Sequence, residues 1–195
     1  MPRLILGVDE AGRGPLAGPV AVGVVLVEEG FDLLATFPHL NDSKKLSEKK
    51  REAIFEQLLV CEKEGSVSFC VKSVDAGTID KAGISPSVRS AVHAGVRTLA
   101  PEPTGVKVYL DGLLHAPDEY EQETVVGGDA LIPAIMLASI AAKVSRDRLM
   151  VRLASEYPQY GFEAHKGYGT KAHQAAIRTH GLSPLHRRSF CRSFT

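Results

Sequence analysis

Two adjacent carboxylates, Asp9 and Glu10, directly follow an apolar segment that begins at Leu4. Because neighbouring anions repel, an apolar strand that ends on such a pair favours a site for a cation. The turn that follows, Gly12-Arg13-Gly14-Pro15, places a guanidinium beside backbone N–H groups that a ligand can approach closely. Oxygen ligands for a hard cation next to donors for an anion suit phosphate-ester chemistry. A polar strand end that leads into an ordinary turn fits the same residues, so this stretch alone leaves both interpretations open.

Two further acidic residues stand at the ends of predicted elements. Asp111 follows an apolar strand over residues 106–110, and Asp129 precedes a long predicted helix. Sheet folds collect side chains at strand ends, so both carboxylates could lie beside Asp9. Four carboxylates together need cations, and two divalent ions about 4 Å apart would hold the attacking water and the leaving oxygen of a phosphoryl displacement. Taken singly, Asp111 also fits a turn and Asp129 an N-cap.

Apolar strands alternate with amphipathic helices along the chain, which predicts an α/β fold with one mixed sheet. The expected strands cover residues 4–10, 20–27, 67–71, 106–110 and 122–126. The expected helices cover residues 48–64 with Ser47 as N-cap, 87–99, from 130 or 133 to 157, and 171–180. The connector 28–41 shows no period, and the Gly-rich stretch 165–170 is expected to be a loop. At this length the chain fits one domain, residues 1–195, with residues 158–195 as a loop-helix extension packed on it.

The net charge of zero hides an asymmetry between the two ends of the chain. From Lys143 onward there are ten Lys or Arg residues against three acidic ones, a charge of +7, so the remainder carries −7. A basic end on an acidic body could bring a polyanion to a metal-holding site, or it could be a solvated tail. No apolar run reaches the roughly 20 residues of a membrane span, and the three cysteines have no disulfide or zinc-site spacing. We therefore expect a cytoplasmic protein without membrane contact.

Sequence blocks along nearly the whole chain resemble the type 2 ribonucleases H, specifically bacterial ribonuclease HII. The first block is Val8-Asp9-Glu10-Ala11-Gly12-Arg13-Gly14-Pro15-Leu16-Ala17-Gly18-Pro19-Val20. The others, in order, are DSKKL at 42–46, LDG at 110–112, GDA at 128–130, ASIAAKVSRD at 138–147, HKGYGT at 165–170 and HRRSF at 186–190. So many blocks in register make the resemblance specific.

The resemblance implies a ribonuclease H-like fold, with a mixed central sheet flanked by helices and a basic helical C-terminal segment. It implies a metal-dependent endonuclease whose catalytic and metal-binding residues are Asp9, Glu10, Asp111 and Asp129, with Mg²⁺ or Mn²⁺ and two ions during catalysis. The implied reaction is cleavage of RNA in RNA–DNA hybrids, and 5′ to a single ribonucleotide in duplex DNA. Its implied products carry a 3′-hydroxyl and a 5′-phosphate.

The resemblance also assigns substrate contacts. The Gly12-Arg13-Gly14 turn matches a sensor of the ribose 2′-hydroxyl, and Tyr168 matches a tyrosine that stacks on the following sugar. A glycine turn admits a ribose closely, and the 2′-hydroxyl is what distinguishes RNA from DNA. The expected phosphate contacts are Lys44, Lys45, Lys143 and Arg146, with help from Ser43. Each of these cations also fits an exposed ion pair, with Asp42 or Asp147 as partner.

Two departures from the family pattern and three rival functions remain. Gly127 stands where a basic residue is usual, and Ile79-Asp80 is followed by an unusual Lys81-Ala82-Gly83, which predicts altered contacts to the DNA strand.

The rivals are a hybrid-only nuclease, a binder of nucleic acid without catalysis, and a magnesium-dependent phosphatase. Retention of all four carboxylates disfavours the binder, and the basic C-terminal segment disfavours the phosphatase. A monomer is expected, and the sequence leaves a replication-clamp partner open. The tail His186-Arg187-Arg188 could bind phosphate or hold the tail against the body.

Overall fold

A mixed sheet of five strands forms the centre of residues 3–193, which are the residues that the computed structural model describes. The strands are β1 (Leu4–Ala11), β2 (Val20–Glu28), β3 (Ser68–Val74), β4 (Val106–Asp111) and β5 (Glu121–Val125). Their order in the sheet is β3-β2-β1-β4-β5. The pairs β1–β2 and β2–β3 are antiparallel, and β1–β4 and β4–β5 are parallel. The predicted mixed sheet is therefore confirmed.

Helices cover both faces of the sheet. They are α1 (Leu33–Thr36), α2 (Glu48–Glu64), α3 (Ala76–Ala82), α4 (Ile84–Leu99), α5 (Pro133–Ala154), α6 (Phe162–His165) and α7 (Lys171–His180). On one face, buried side chains of α2 and α5 pack against Val25 of β2. On the other face, α4 packs against Val22 and Val24. Because β2 is covered on both faces, it reads in sequence as a continuous apolar run rather than an alternating one.

Helix α5 lies unusually close to the sheet, as its small residues predict. A Cβ atom added to Gly23 in β2 would lie 2.2 Å from the carbonyl oxygen of Ala138 in α5. Only glycine on the strand and small residues on the helix permit this approach. The central helix is thereby fixed against the strands whose ends carry Asp9 and Asp111.

Several predicted boundaries are wrong. The connector 28–41 contains α1, whose N-cap Asp32 accepts the backbone N–H of Ala35. Helix α3 was not predicted, although Asp75 caps it in the same way. Helix α4 begins at Ile84 rather than at residue 87, because a proline in the first turn loses no helical hydrogen bond. Helix α5 ends at Ala154 rather than at residue 157, and α6 includes His165, the first residue of the stretch that was expected to be a loop.

The C-terminal segment packs against the turn that follows β1. The backbone N–H of Gly18 donates to the carbonyl of Leu185 over 2.8 Å, and the N–H of Arg187 donates to the carbonyl of Leu16 over 2.8 Å. An antiparallel bridge joins Ala17 to His186. The last residues of the predicted extension, 194 and 195, lie outside the described residues, as do 1 and 2.

Among residues 3–193, no helix is both long and apolar enough to cross a membrane.

Candidate active site

Asp9 and Asp111 lie at the same edge of the sheet because their strands are parallel neighbours. Val8 pairs with Leu110 in the register of β1 and β4, and each aspartate is the next residue of its strand. Asp9 is 5% exposed. Two residues 102 positions apart in the chain are thus placed side by side by the pairing of two strands.

A third carboxylate reaches this edge from the short 3₁₀ turn Gly128–Ala130. The backbone N–H of Asp129 donates to Oδ1 of Asp111 over 3.3 Å. One carboxylate oxygen from each of Asp9, Asp111 and Asp129 lies within 4.8 Å of the other two. We call these three residues the acidic cluster.

The acidic cluster fits a hard divalent cation. Carboxylate oxygens are the ligands that Mg²⁺ and Mn²⁺ prefer. Burial, together with repulsion from Glu10 and Asp111, raises the pKa of Asp9 from 3.8 to about 8. The residues around Asp9 therefore do not fully compensate the negative charge of its carboxylate. A bound cation would favour the ionised form of Asp9.

Glu10 lies beside the acidic cluster but outside that set of close oxygens. Its Oε1 accepts a hydrogen bond from Nε of Arg13 over 2.9 Å. The backbone N–H of Glu10 donates to Oδ1 of Asp9 over 2.7 Å. Of the four acidic residues predicted from the sequence, the structure therefore groups three closely, and the fourth forms an ion pair with the next turn.

An open cleft of about 310 Å³ surrounds the carboxylates. Its walls come from the end of β1 and the following turn, the loop before α2, the end of β4, α5 and the Gly-rich loop. The lining residues are Asp9, Glu10, Ala11, Gly12, Arg13, Gly14, Ser43, Lys44, Arg51, Asp111, Ser139, Lys143 and Tyr168. Most of the predicted site residues thus line one cleft, and Asp129 joins them through the acidic cluster.

Two lysines line the cleft, and one of them contacts the acidic cluster. Nζ of Lys44 lies 2.7 Å from Oδ2 of Asp129, and this hydrogen bond is the main reason why the pKa of Lys44 is raised. Nζ of Lys143 lies 2.8 Å from Oδ2 of Asp147. Nζ of Lys143 also lies 5.8 Å from the ring centroid of Tyr168, which is 42% exposed. Tyr168 therefore presents its ring to the cleft rather than to a core.

Sequence reasoning did not single out two residues that shape this cleft. Ser139 of α5 lies near enough to Asp9 to act against the rise of its pKa and lies 2.9 Å, Oγ to Oγ, from Ser43. Arg51 of α2 donates to the carbonyls of Ser43 and Leu46 and so fixes the loop that carries Lys44. The signal for Ser139 was its place in the block at 138–147. Arg51 had none beyond its position in the first turns of α2.

Two predicted phosphate contacts lie elsewhere. Lys45 is exposed outside the cleft, with Nζ 3.9 Å from Oδ2 of Asp42. The prediction for Arg146 needs correction, because its side chain is 1% exposed and donates to the carbonyls of Pro19, Ala17 and Lys166. A guanidinium enclosed in this way cannot reach a phosphate, so Arg146 supports the backbone of the site instead.

Some basic residues of the C-terminal part of the chain are buried or form ion pairs within the protein. Arg187 is fully buried, and Arg148 forms ion pairs with Glu52 and Glu56 of α2. Fewer cations are therefore available for a polyanion than the sequence count indicates.

Comparison with known proteins places this chain in a family. The family model described as Ribonuclease HII matches residues 6–193. This chain belongs to the ribonuclease HII family. A Ribonuclease HII of Endomicrobium trichonymphae is 44% identical over 186 residues, which is 95% of this chain and 84% of the relative. The chain is accordingly a ribonuclease H, the class of metal-dependent hydrolase that cleaves RNA paired with DNA.

Solved structures share the fold. Ribonuclease H2 from Pyrococcus horikoshii OT3 superposes with a TM-score of 0.77 at 25% identity, covering 98% of this chain and 96% of that one. A PCNA:RNase HII complex from Archaeoglobus fulgidus gives a TM-score of 0.75 at 23% identity, covering 94% and 93%. The expected ribonuclease H-like fold, a mixed sheet flanked by helices, is confirmed.

Proposed function

We propose that this member of the ribonuclease HII family cuts duplex DNA 5′ to a single embedded ribonucleotide, in addition to cleaving RNA in RNA–DNA hybrids. Its products would carry a 3′-hydroxyl and a 5′-phosphate. The observation that supports this most is the position of residues 12–14, the glycine turn, in the same cleft as the acidic cluster. A ribose bound at the glycine turn has its adjoining phosphate within reach of the carboxylates.

We assign the metal-binding role to Asp9, Glu10, Asp111 and Asp129, with two Mg²⁺ or Mn²⁺ ions during catalysis. The ions, when bound, supply the Lewis acidity that accelerates phosphodiester hydrolysis. Asp9, Asp111 and Asp129 offer closely spaced oxygens, and the hydroxyl of Ser139 lies beside them in the cleft. Glu10 can act as a ligand through Oε2, or through Oε1 once its hydrogen bond from Arg13 is broken.

Both backbone groups and side chains of the cleft contact the substrate. Gly12, Arg13 and Gly14 contact the ribose, and the ring of Tyr168 stacks on the following sugar. A deoxyribose is preferred there, since a second 2′-hydroxyl would place a polar group against the ring. Lys44 and Lys143, with the hydroxyl of Ser43 behind them, contact phosphates beside the cut bond. Lys45, which lies outside the cleft, contacts the duplex further away.

The chain is proposed to act as a monomer and as one catalytic domain with residues 158–195 packed on it. Asp9, Asp111 and Asp129 come together within one chain, and the tail is hydrogen-bonded to the turn beside the cleft. A cytoplasmic location suits the cysteines Cys61, Cys70 and Cys191, which are free in the described structure.

Cleavage of end-labelled substrates tests the proposal. The protein is mixed with an RNA–DNA hybrid, with a DNA duplex that carries one ribonucleotide, and with the same duplex in all-DNA form. Each mixture is run with Mg²⁺, with Mn²⁺ and with a chelator. We expect cleavage of the first two substrates, none of the third, and none in chelator. Hydrolysis of p-nitrophenyl phosphate without cleavage of any duplex would favour the phosphatase alternative.

A further inference from the structure

Two carbonyl groups of the glycine turn, those of Gly12 and Arg13, face one buried side chain, Arg187. Its Nη2 donates to the carbonyl of Gly12 over 2.6 Å, its Nη1 to that of Arg13 over 2.9 Å, and its Nε to that of Gly18 over 3.0 Å. The side chain is fully buried. Every nitrogen of this guanidinium therefore serves the backbone, and Arg187 is not a phosphate contact.

The contacts of Arg187 fix the direction of two N–H groups. In a trans peptide the N–H points opposite to the C=O of the same plane, and residues 3–193 contain no cis peptide. Since the carbonyls of Gly12 and Arg13 point towards Arg187, the N–H groups of Arg13 and Gly14 point away from it, and both residues line the cleft. Within residues 3–193, neither of these two N–H groups donates a hydrogen bond.

A second buried guanidinium, that of Arg146, also lies against Gly12. A Cβ atom on Gly12 would lie 2.1 Å from Nε of Arg146, and the φ angle of Gly12 is +88°. Arg146 itself holds the carbonyls of Ala17 and Lys166. Two cations behind one backbone segment make its free donors more attractive to an electron-rich oxygen.

The C-terminal tail holds Arg187 in place through its own backbone. The N–H of Arg187 donates to the carbonyl of Leu16. The carboxylate of Asp80 accepts the N–H groups of Arg188 and Ser189 over 2.8 and 3.0 Å. The tail therefore positions the guanidinium rather than merely covering the body.

We propose that Arg187 is a positioning residue for ribonucleotide specificity, because it presents the N–H groups of Arg13 and Gly14 to the oxygen of a ribose 2′-hydroxyl. The inference rests on the proposed function, since it explains how the glycine turn distinguishes ribose from deoxyribose. A 2′-carbon without an oxygen leaves both donors without a partner, which disfavours DNA at this position.

Substitution of Arg187 and measurement of preference test this role. Arg187→Lys keeps the charge but loses the planar fork that spans two carbonyls. Arg187→Ala removes both, and added guanidinium ion can refill the space. Arg188→Ala is the matched control, because Arg188 is exposed and its contact to Asp80 uses the backbone. Binding is measured by fluorescence anisotropy in Ca²⁺, used in place of Mg²⁺ to slow cleavage. The two ligands are a duplex with one ribonucleotide and the identical all-DNA duplex.

For Arg187→Lys and Arg187→Ala we expect the preference for the ribonucleotide duplex to fall about tenfold or more, as for loss of well-placed hydrogen bonds. Affinity for all-DNA should stay unchanged, guanidinium ion should restore part of the preference in Arg187→Ala, and Arg188→Ala should match wild type. An unchanged preference in both Arg187 variants would overturn the inference. A wild-type protein that shows no preference and no ribonucleotide-dependent cleavage would instead refute the proposed function.

A measurement on the wild-type chain covers the case in which the variants do not fold. In ¹⁵N-labelled protein, the amide resonances of Arg13 and Gly14 should shift on binding the single-ribonucleotide duplex more than on binding all-DNA. Equal shifts with both duplexes would also overturn the inference.

Discussion

Nζ of Lys44 lies 2.7 Å from Oδ2 of Asp129, so one member of the acidic cluster already has a cationic partner. The Lys44 side chain is 78% exposed and free to turn towards a phosphate. In the protein without substrate, its positive charge opposes a metal ion at the cluster. We predict that Lys44→Ala binds Mg²⁺ more tightly than wild type but cleaves the hybrid with a lower kcat/KM.

Metal-induced shifts in melting temperature and steady-state kinetics check this prediction. The matched control is Lys45→Ala, whose Nζ lies near Asp42 and outside the cleft, and which should bind the metal as wild type does. Weaker Mg²⁺ binding by Lys44→Ala would show that the lysine supports the metal site instead of competing with it.

Substitution of Asp9 should separate activity from stability. The pKa of Asp9 is raised to about 8, so the folded protein keeps a proton that the unfolded chain has lost above pH 3.8. Ionisation of Asp9 in the fold is therefore unfavourable, and the metal-free protein loses stability as pH rises from about 4 to 8. Asp9→Asn should abolish cleavage while its free energy of unfolding at neutral pH, without metal, equals or exceeds that of wild type.

Chemical denaturation at several pH values and the hybrid cleavage assay measure the two effects. The stability difference between Asp9→Asn and wild type should grow from pH 5 to pH 8. Mg²⁺ should stabilise Asp9→Asn less than it stabilises wild type. Cleavage at the wild-type rate by Asp9→Asn would remove Asp9 from the proposed metal site.

How much of this site the sequence predicts depends on how local each signal is. Helices α2 and α7 run over the predicted residues because Ser47 and Thr170 cap them with their own side chains. Asp9 and Asp111 were identifiable because each ends an apolar strand. Arg146 and Arg187 could not be assigned, because all of their partner carbonyls except that of Lys166 lie more than 120 residues away in the chain. The local sequence does not distinguish an arginine that is buried against backbone carbonyls from one that binds a phosphate.

The missed helices have a different cause. Asp32 and Asp75 are adequate N-caps, but α1 and α3 are too short to show a hydrophobic period. The predicted length of α5 is too great because Pro158 was taken to end the helix at residue 157. The helix already ends at Ala154. Beyond Ala154 the backbone N–H groups of Ser155 and Glu156 donate to the carbonyls three residues earlier, so the chain forms a tighter turn before Pro158.

Gly14 offers a probe of substrate approach that leaves the fold intact. A Cβ atom on Gly14 would meet no atom within 4 Å, and its φ is not in the left-handed region. Gly14→Ala should therefore keep the wild-type melting temperature, while its methyl group intrudes where a ribose must approach, which lowers kcat/KM about tenfold or more. Gly12→Ala, by contrast, should also lose stability, since its Cβ would overlap Arg146. Full activity in Gly14→Ala would argue against ribose contact at this residue.

A histidine network links the Gly-rich loop to the tail and makes stability depend on pH. Nδ1 of His173 must donate to the carbonyl of Tyr168, so its Nε2 accepts from Nε2 of His186 over 3.1 Å. Nδ1 of His186 then accepts the N–H of Ser183 over 3.0 Å. Burial, and next the proximity of His173, lower the pKa of His186 from 6.5 to about 4.

The network predicts a loss of stability in mild acid. Between pH 6.5 and 4 the unfolded chain binds a proton at His186 that the folded chain does not, so the free energy of unfolding falls as pH falls through this window. Denaturation curves of wild type, His186→Gln and the exposed control His39→Gln measure the effect. The slope with pH should be reduced in His186→Gln alone. The same slope in all three proteins would contradict the assignment.

Cleavage of matched duplexes with zero, one or four consecutive ribonucleotides tests the central claim most directly. With end-labelled strands in Mg²⁺ and in Mn²⁺, we predict no cut in the all-DNA duplex and a single cut 5′ to the lone ribonucleotide. One 2′-hydroxyl satisfies the glycine turn, and that turn follows Asp9 and Glu10 directly in the chain. Cleavage that is absent at one ribonucleotide and appears only at four would contradict the account and favour a hybrid-only nuclease.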